Sequence, residues 1–161
     1  MKAIYPGTFD PMTNGHLDIV ERGVIMFDSL IIGVAENKRK KPMFSIDERV
    51  EMIKKSVSHL KNVEVKPFSN LLVDFMKSER ANIVLRGLRA VSDFEFELQL
   101  ALMNRKLNPE CETVFLMPNK KYIFLSSSMI REIAMLGGDV CELVPPKVKE
   151  YIDIKCKNGC I

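Results

Sequence analysis

The sequence contains few of the residues from which metal centres are built. It has four cysteines and two histidines among 161 residues, and no two cysteines form a C-x-x-C pair. Cys156 and Cys160 are the closest pair, but no histidine or third cysteine lies near them, whereas a structural zinc site needs about four ligands. We therefore expect unpaired thiols, which are typical of a cytoplasmic protein.

An arrangement for covalent catalysis is also missing. No Ser–His–Asp order or Cys–His pair stands out, and His59 is expected to be an ordinary residue at a helix end. The chemistry we expect is therefore the positioning of substrates and the stabilisation of charge.

Long apolar runs and a strong charge of one sign are absent as well. No apolar run approaches the ~20 residues that cross a bilayer, and the N-terminus lacks the apolar stretch of a secretory signal. The formal net charge of +3 is too small to indicate a nucleic-acid partner. We expect a cytoplasmic protein that binds neither membrane nor nucleic acid.

What the sequence does contain is a regular alternation of strand and helix patterns. The predicted strands are residues 3–5, 30–35, 63–65, 82–86 and 113–117. The predicted helices are residues 16–27, 45–60, 71–78, 92–107, 126–136 and 147–152. This order predicts an α/β fold, a Rossmann-like doubly wound parallel five-stranded sheet with helices on both faces. It would form one domain over residues 1–152, followed by a flexible tail, residues 153–161.

Four loops with unusual composition follow the predicted strands. They are Gly7–Gly15, Lys38–Lys41, Gly87–Arg89 and Pro118–Leu125. Because the carboxyl ends of parallel strands meet at one edge of the sheet, these loops should converge where such folds bind ligands.

The loop after the first strand ends in Thr13-Asn14-Gly15-His16, directly before a helix. The first N–H groups of a helix are unpaired and carry partial positive charge, so they attract phosphate. His16 could donate to a phosphate oxygen, and Gly15 would let a nucleotide approach the backbone. The alternative is that Thr13 or Asn14 caps the helix and His16 is only exposed. A protonated histidine is disfavoured there unless an anion is bound, which favours the phosphate site.

Cationic residues occur in two of the other loops. The run Lys38-Arg39-Lys40-Lys41 could be a solvated surface, but its place after the second strand makes one lysine a plausible phosphate ligand. Arg86 and Arg89 flank the end of an apolar strand, where an unpaired buried charge is costly. A salt bridge to Asp93 or Glu95 would explain one of these arginines more easily than both.

The fourth loop leads into Ser126-Ser127-Ser128, with Arg131 one helical turn later. One serine is expected to cap the helix in any case, but three exceed what capping needs, which favours a phosphate site. Glu97 follows Asp93 and Glu95 at alternate helix positions, so the three carboxylates cannot share one face. We therefore expect no metal cluster of protein ligands.

Two of these motifs together resemble the nucleotidyltransferase superfamily, namely Thr13-x-Gly-His16 and Ser126-Ser-Ser-x-x-Arg131. Longer segments are similar to the bacterial phosphopantetheine adenylyltransferases within it. These segments are residues 5–11, 40–44, 85–90, 93–101, 103–105 and 115–118. The similarity extends over nearly the whole chain as far as Pro145, and residues 40–44 and 85–90 are its most specific parts.

The resemblance implies direct in-line transfer of adenylyl from ATP to 4′-phosphopantetheine, giving dephospho-coenzyme A and pyrophosphate in coenzyme A biosynthesis. It also implies Mg²⁺ bound with ATP, a homohexamer, and feedback binding of coenzyme A. Two alternatives stay open: a related enzyme that acts on nicotinamide mononucleotide or uses CTP, and a nucleotide sensor without activity.

The same resemblance implies roles for individual residues. His16, Lys40 and Arg89 would be catalytic. The nucleotide would be bound by Thr8, Phe9, His16, Gly87, Leu88, Arg89, Glu97, Tyr122, Ile123, Phe124, Leu125, Ser126, Ser127 and Ser128. The acceptor would be bound by Thr8, Lys40, Leu72 and Arg86. The sequence departs from the family at Ile123, which occupies a place where a small polar residue is usual.

Overall fold

The computed structural model of the chain describes residues 1–36, 41–89 and 91–157, with only the backbone for residues 91–93. Within these ranges the strands are β1 (Lys2–Gly7), β2 (Ser29–Ala35), β3 (Val63–Phe68), β4 (Ile83–Gly87) and β5 (Glu112–Leu116). The helices are α1 (Asn14–Met26), α2 (Ile46–Ser56), α3 (Leu72–Ser78), α4 (Val91–Leu107), α5 (Ser127–Met135) and α6 (Pro146–Lys157), with a short 3₁₀ helix at Lys120–Tyr122.

The five strands form one parallel sheet in the order β3-β2-β1-β4-β5. From β1 the chain winds outward through β2 to β3, and then crosses back to continue on the other side with β4 and β5. The winding direction therefore reverses between β1 and β4, where their loops diverge and leave a crevice for a ligand. The predicted Rossmann-like, doubly wound sheet is confirmed.

Helices cover both faces of the sheet because successive strand side chains point to opposite sides. Ala3 and Tyr5 of β1 belong to a larger core that includes residues of α1, α2, α5 and α6. Ile4, between them, belongs to a smaller core with Phe75 and Met76 of α3. Among the residues that the structure describes, no helix is long and apolar enough to cross a bilayer.

Side chains cap the starts of both α2 and α5. At α2, Ser45 accepts from Glu48 N while Glu48 accepts from Ser45 N, which is the capping box that the sequence predicts. At α5, the Ser126 hydroxyl accepts from Met129 N, so one of the three serines does cap this helix.

The predicted end of the last helix is wrong, because α6 continues from residue 152 to Lys157. Tertiary contacts hold this extension in place. The Lys155 ammonium lies 3.1 Å from Glu48 Oε1 and 5.6 Å from the centre of the Phe44 ring. The Cys156 thiol lies 3.6 Å from the Ala134 carbonyl. Residues 158–161 of the predicted tail lie outside the described residues.

Two other bounds differ from prediction by three residues or more. β3 extends past Val65 to Phe68 and includes Pro67. Because β3 is an edge strand, one side of its backbone has no strand partner, and a proline without N–H is tolerated there. α2 ends at Ser56, four residues before the predicted end.

Candidate active site

A cavity of about 570 Å³ lies at the carboxyl ends of β1 and β4. Many of the predicted site residues line it: Thr8, Phe9, His16, Arg86, Gly87, Arg89, Glu97, Ser126, Ser127 and Ser128. Five lysine or arginine side chains and two carboxylates are among its described lining residues. This excess of positive charge suits a ligand with several phosphate groups.

The start of α1 holds His16 in one orientation. Thr13 is the N-cap, and its hydroxyl accepts from His16 N at 3.3 Å. In return, the Thr13 N–H donates to His16 Nδ1 at 3.0 Å. Because Nδ1 accepts this bond, the neutral ring carries its proton on Nε2. Capping and phosphate binding are therefore compatible, since they use different nitrogens of the ring.

The ring is also held in its neutral form. Its edge packs against Phe9, with the ring centres 5.1 Å apart. Burial lowers the pKa of His16 from 6.5 to about 4, and the positive charge of Arg89 acts in the same direction. At pH 7 the ring is thus an uncharged donor, and the electrostatic objection to a protonated histidine at a helix start does not apply.

This lowered pKa predicts how stability depends on pH. Between pH 6.5 and pH 4 the unfolded histidine takes up a proton that the folded protein does not bind, so the free energy of unfolding falls as pH falls. His16→Gln has no titrating group at this position and serves as the reference. Relative to it, the unfolding free energy of the wild type should fall by about 1–3 kcal/mol as the pH falls from 6.5 to 4. Urea unfolding of both proteins at several pH values measures the difference. A difference that does not change with pH would contradict the lowered pKa.

Arg86, at the end of β4, has a carboxylate partner in the cavity. Its Nε lies 3.1 Å from Glu97 Oε2, and its Nη1 donates to the Pro6 carbonyl at 3.0 Å. The sequence suggested Asp93 or Glu95 as an arginine partner, whereas for Arg86 the partner is Glu97. The guanidinium is fixed between the end of β1 and the middle of α4.

Arg89 connects β4 to the serine loop, since its Nη1 donates to the Leu125 carbonyl at 2.6 Å. The serines that follow have separate bonds. Ser126 and Ser128 share a hydrogen bond of 3.0 Å between their hydroxyls, and Ser127 donates to the Pro11 carbonyl at 2.7 Å. The start of α5 is therefore attached both to β4 and to the loop after β1.

Comparison with known proteins agrees with this arrangement. Residues 4–133 match the family model described as cytidylyltransferase-like. A phosphopantetheine adenylyltransferase of Clostridium botulinum is 58% identical over 146 residues, covering 91% of this chain and 92% of that protein. One from Dictyoglomus turgidum is 54% identical and covers 98% of both chains. This chain belongs to the phosphopantetheine adenylyltransferase family.

The fold also resembles a more distant solved structure. It is a bifunctional NMN adenylyltransferase/ADP ribose pyrophosphatase from Francisella tularensis, determined with AMP and a manganese ion, with a TM-score of 0.72 at 14% identity. The match covers 95% of this chain and 48% of that one. At this identity the likeness concerns the fold alone.

Several residues that the family resemblance implied do not line the main cavity. Leu125 lines an adjoining hollow of about 60 Å³ that shares His16 and Arg89 with it. Tyr122 lies beside Gly15, where an added Cβ would be 3.4 Å from the tyrosine Cβ. Neither Leu88 nor the exposed pair Ile123 and Phe124 is part of the cavity wall.

Leu72 and Lys40, both predicted to bind the acceptor, are not among the described residues that line the cavity. Leu72 does not line the cavity and packs against the smaller core under α3. Lys40, with Lys38 and Arg39, lies outside the described residues, but the adjacent Lys41 and Pro42 line the cavity.

Asp10 and Arg49 also line the cavity, and no role was predicted for either of them from the sequence. Arg49 could have been noticed, because the helical period places it on the same face as Met52, Ile53 and Ser56. All four side chains are buried. A charged residue in a buried stripe signals a specific set of partners.

Proposed function

We propose that this protein transfers the adenylyl group of ATP to 4′-phosphopantetheine, with release of pyrophosphate. Family membership at more than half identity over nearly the full chain supports this activity. The observation that carries it is His16, a neutral donor fixed at a helix start in a cationic cavity. The cavity offers separate cationic groups for two phosphorylated substrates.

In the proposed reaction an oxygen of the acceptor phosphate attacks the α-phosphorus of ATP. The new P–O bond forms as the bond to pyrophosphate breaks, and the electron pair leaves with pyrophosphate. The attacking phosphate is already ionised, since its second pKa is ~6, so no general base is required. The protein aligns the groups and stabilises their charge.

Each group at the cavity has a proposed part in that alignment. His16 Nε2–H would donate to an oxygen of the transferring phosphate, with Arg89 nearby on the nucleotide side. Arg86 and Lys40 would hold the acceptor phosphate, with Thr8 between the two substrates. The serines at the start of α5 would bind the triphosphate.

Mg²⁺ would enter with ATP. Among the described residues no group of three or more histidine, cysteine or acidic side chains could hold a metal ion. The two carboxylates at the cavity are engaged: Asp10 accepts from the Phe44 amide, and Glu97 pairs with Arg86. We therefore propose that phosphate oxygens and water supply most of the ligands, and that the ion neutralises charge on the leaving pyrophosphate.

The decisive experiment measures pyrophosphate release with ATP and phosphopantetheine. Release that depends on both substrates is expected, with little or none when nicotinamide mononucleotide replaces the acceptor or CTP replaces ATP. Binding of ATP without any release would instead favour a nucleotide sensor. Activity with nicotinamide mononucleotide would move the assignment to a related enzyme.

We also propose that the chain assembles as a homohexamer in the cytoplasm and that coenzyme A binds in competition with the substrates. α4 supports assembly because it exposes large apolar side chains beside the edge strand β5, with Leu102 59% and Met103 54% exposed. Coenzyme A contains the pantetheine and adenylyl groups of the proposed product, so it could occupy the same cavity.

Light scattering should therefore give the mass of six chains. Leu102→Glu places a charge on the exposed face of α4 and should lower that mass. Ile25→Glu is the matched control, because Ile25 is 84% exposed on α1. A wild-type monomer would contradict the proposed hexamer.

A further inference from the structure

Arg49 is a buried cation whose hydrogen bonds to the described residues all go to backbone carbonyls. Only 1% of its surface is exposed. Its Nε donates to the Phe44 carbonyl at 3.1 Å, and its Nη1 donates to the carbonyls of Thr8 at 2.7 Å and Ala35 at 2.9 Å. Within the described part of the chain Arg49 forms no ion pair. Such a side chain is costly to bury, so its three bonds must satisfy much of its donor capacity.

The three carbonyls belong to three different segments, and one of the three residues, Thr8, lines the cavity. Thr8 is in the loop after β1, Ala35 is the last residue of β2, and Phe44 directly precedes the cap of α2. One guanidinium thus fixes the separation of the loop that carries Thr8 from the segment that contains Lys41 and follows β2.

Asp10 makes the complementary set of bonds. Its carboxylate, with the residue 4% exposed, accepts from Met43 N at 2.9 Å and from Phe44 N at 3.0 Å. The Met43–Phe44 segment is therefore bound from both sides, with its two N–H groups on Asp10 and the Phe44 carbonyl on Arg49. Asp10 and Thr8 lie in the same loop. The bonds of Asp10 and those of Arg49 therefore both join this loop to the Met43–Phe44 segment.

The nucleotide side of the cavity is bonded to the loop that carries Asp10 but not to Arg49. Arg131 of α5 donates to the Asp10 carbonyl and lies 3.4 Å from Asp10 Oδ2. The Gly87–Arg89 segment and the serines of α5 contact neither Arg49 nor its three carbonyls through any described hydrogen bond. A change at Arg49 should therefore alter the kinetic constants for the acceptor more than those for ATP.

We propose that Arg49 is a positioning residue of the acceptor site, which sets the distance between Thr8 and the Lys41–Phe44 segment and so aligns the acceptor phosphate for attack. This inference rests on the proposed transfer to phosphopantetheine. A residue that only filled the core would, when changed, lower stability and affect both substrates alike.

Arg49→Lys tests this role because it keeps the charge but cannot donate to three carbonyls in a fixed fork. We expect kcat/KM for phosphopantetheine to fall by about 10²-fold, the effect of misplacing a reacting group by about 1 Å. The KM for ATP should stay within about twofold, since nucleotide binding is not disturbed. Arg80→Lys, at the opposite edge of the sheet and exposed, is the matched control and should retain wild-type constants.

A second measurement does not require activity. Hydrogen exchange at the Met43 and Phe44 amides should become at least about tenfold faster in Arg49→Lys, because the segment loses its carbonyl anchor. Assays are made well below the thermal midpoint of the variant, so that unfolding does not contribute.

The outcomes separate this inference from the proposed function. A wild-type protein that releases no pyrophosphate would overturn the proposed function, while the exchange data would still report on the anchor. The positioning role would be overturned if Arg49→Lys kept the wild-type kcat/KM for phosphopantetheine. It would also be overturned if kcat/KM fell equally for phosphopantetheine and for ATP. Unchanged exchange at Met43 and Phe44 would overturn it as well.

Discussion

Turnover is expected to fall by about 10²-fold or more when His16 is replaced by alanine. In-line transfer concentrates negative charge on the oxygens around the α-phosphorus, and a donor already aimed there stabilises that charge without reorganisation. The Thr13 N–H bond to Nδ1 supplies that orientation, since it fixes both the ring plane and the proton on Nε2. Steady-state pyrophosphate release at saturating ATP and phosphopantetheine measures the change in kcat.

Alanine at this position also removes half of a capping box, so a second variant is needed. Glutamine is a preferred residue at the third helical position, where its side-chain oxygen can accept from Thr13 N. His16→Gln should therefore keep its unfolding free energy within about 0.5 kcal/mol of the wild type at pH 7. It should nevertheless lose most of its turnover, because the amide does not reproduce the position of Nε2–H.

The pH dependence provides a further check on His16. A ring with a pKa of about 4 is neutral at every pH from 6 to 8, so the wild-type kcat should show no inflection near 6.5 that is absent from His16→Gln. Near-normal turnover in His16→Ala would contradict the assigned role. Turnover that follows folding stability across the two variants would make the residue a helix cap only.

The parts of the site that could be predicted from sequence are those with a local signal. The Thr13–His16 motif, the Ser45 capping box and the serines before α5 each depend on residues three or four positions apart, and the structure has all three in the expected places. The doubly wound parallel sheet with helices on both faces followed from the alternation of apolar runs and helices, because few chain paths are compatible with it.

What could not be predicted depends on contacts between distant segments. Arg49 is 41 residues from Thr8 and 14 from Ala35, and no pattern within α2 specifies those carbonyls. The extension of α6 is held by the bond of Lys155 to Glu48, which lies 107 residues before Lys155. The sequence pattern around Glu97 indicated only a solvated charge on a helix, because its partner Arg86 lies in another element.

Replacing Arg86 by methionine is expected to lower kcat/KM for phosphopantetheine by about 10²-fold or more, since truncating one member of a desolvated charge pair typically costs this much. Two effects act together. The acceptor phosphate loses a guanidinium, and Glu97 keeps a carboxylate that no longer has its partner and repels the phosphate. The pair is well enclosed, with side-chain exposures of 21% for Arg86 and 18% for Glu97. Initial rates at varied phosphopantetheine and saturating ATP measure the loss.

The double variant Arg86→Met/Glu97→Gln separates the two effects. Removing the carboxylate as well should restore about tenfold of the lost kcat/KM, within the coupling found for neighbouring charged residues. The remaining deficit then reports the direct contact of Arg86 with the acceptor. Glu97→Gln alone should leave the acceptor constants closer to those of the wild type, because Arg86 keeps its bond to the Pro6 carbonyl. If Glu97→Gln alone lowered kcat/KM for phosphopantetheine as much as Arg86→Met, the loss would come from breaking the ion pair. Arg86 would then not be a phosphate ligand.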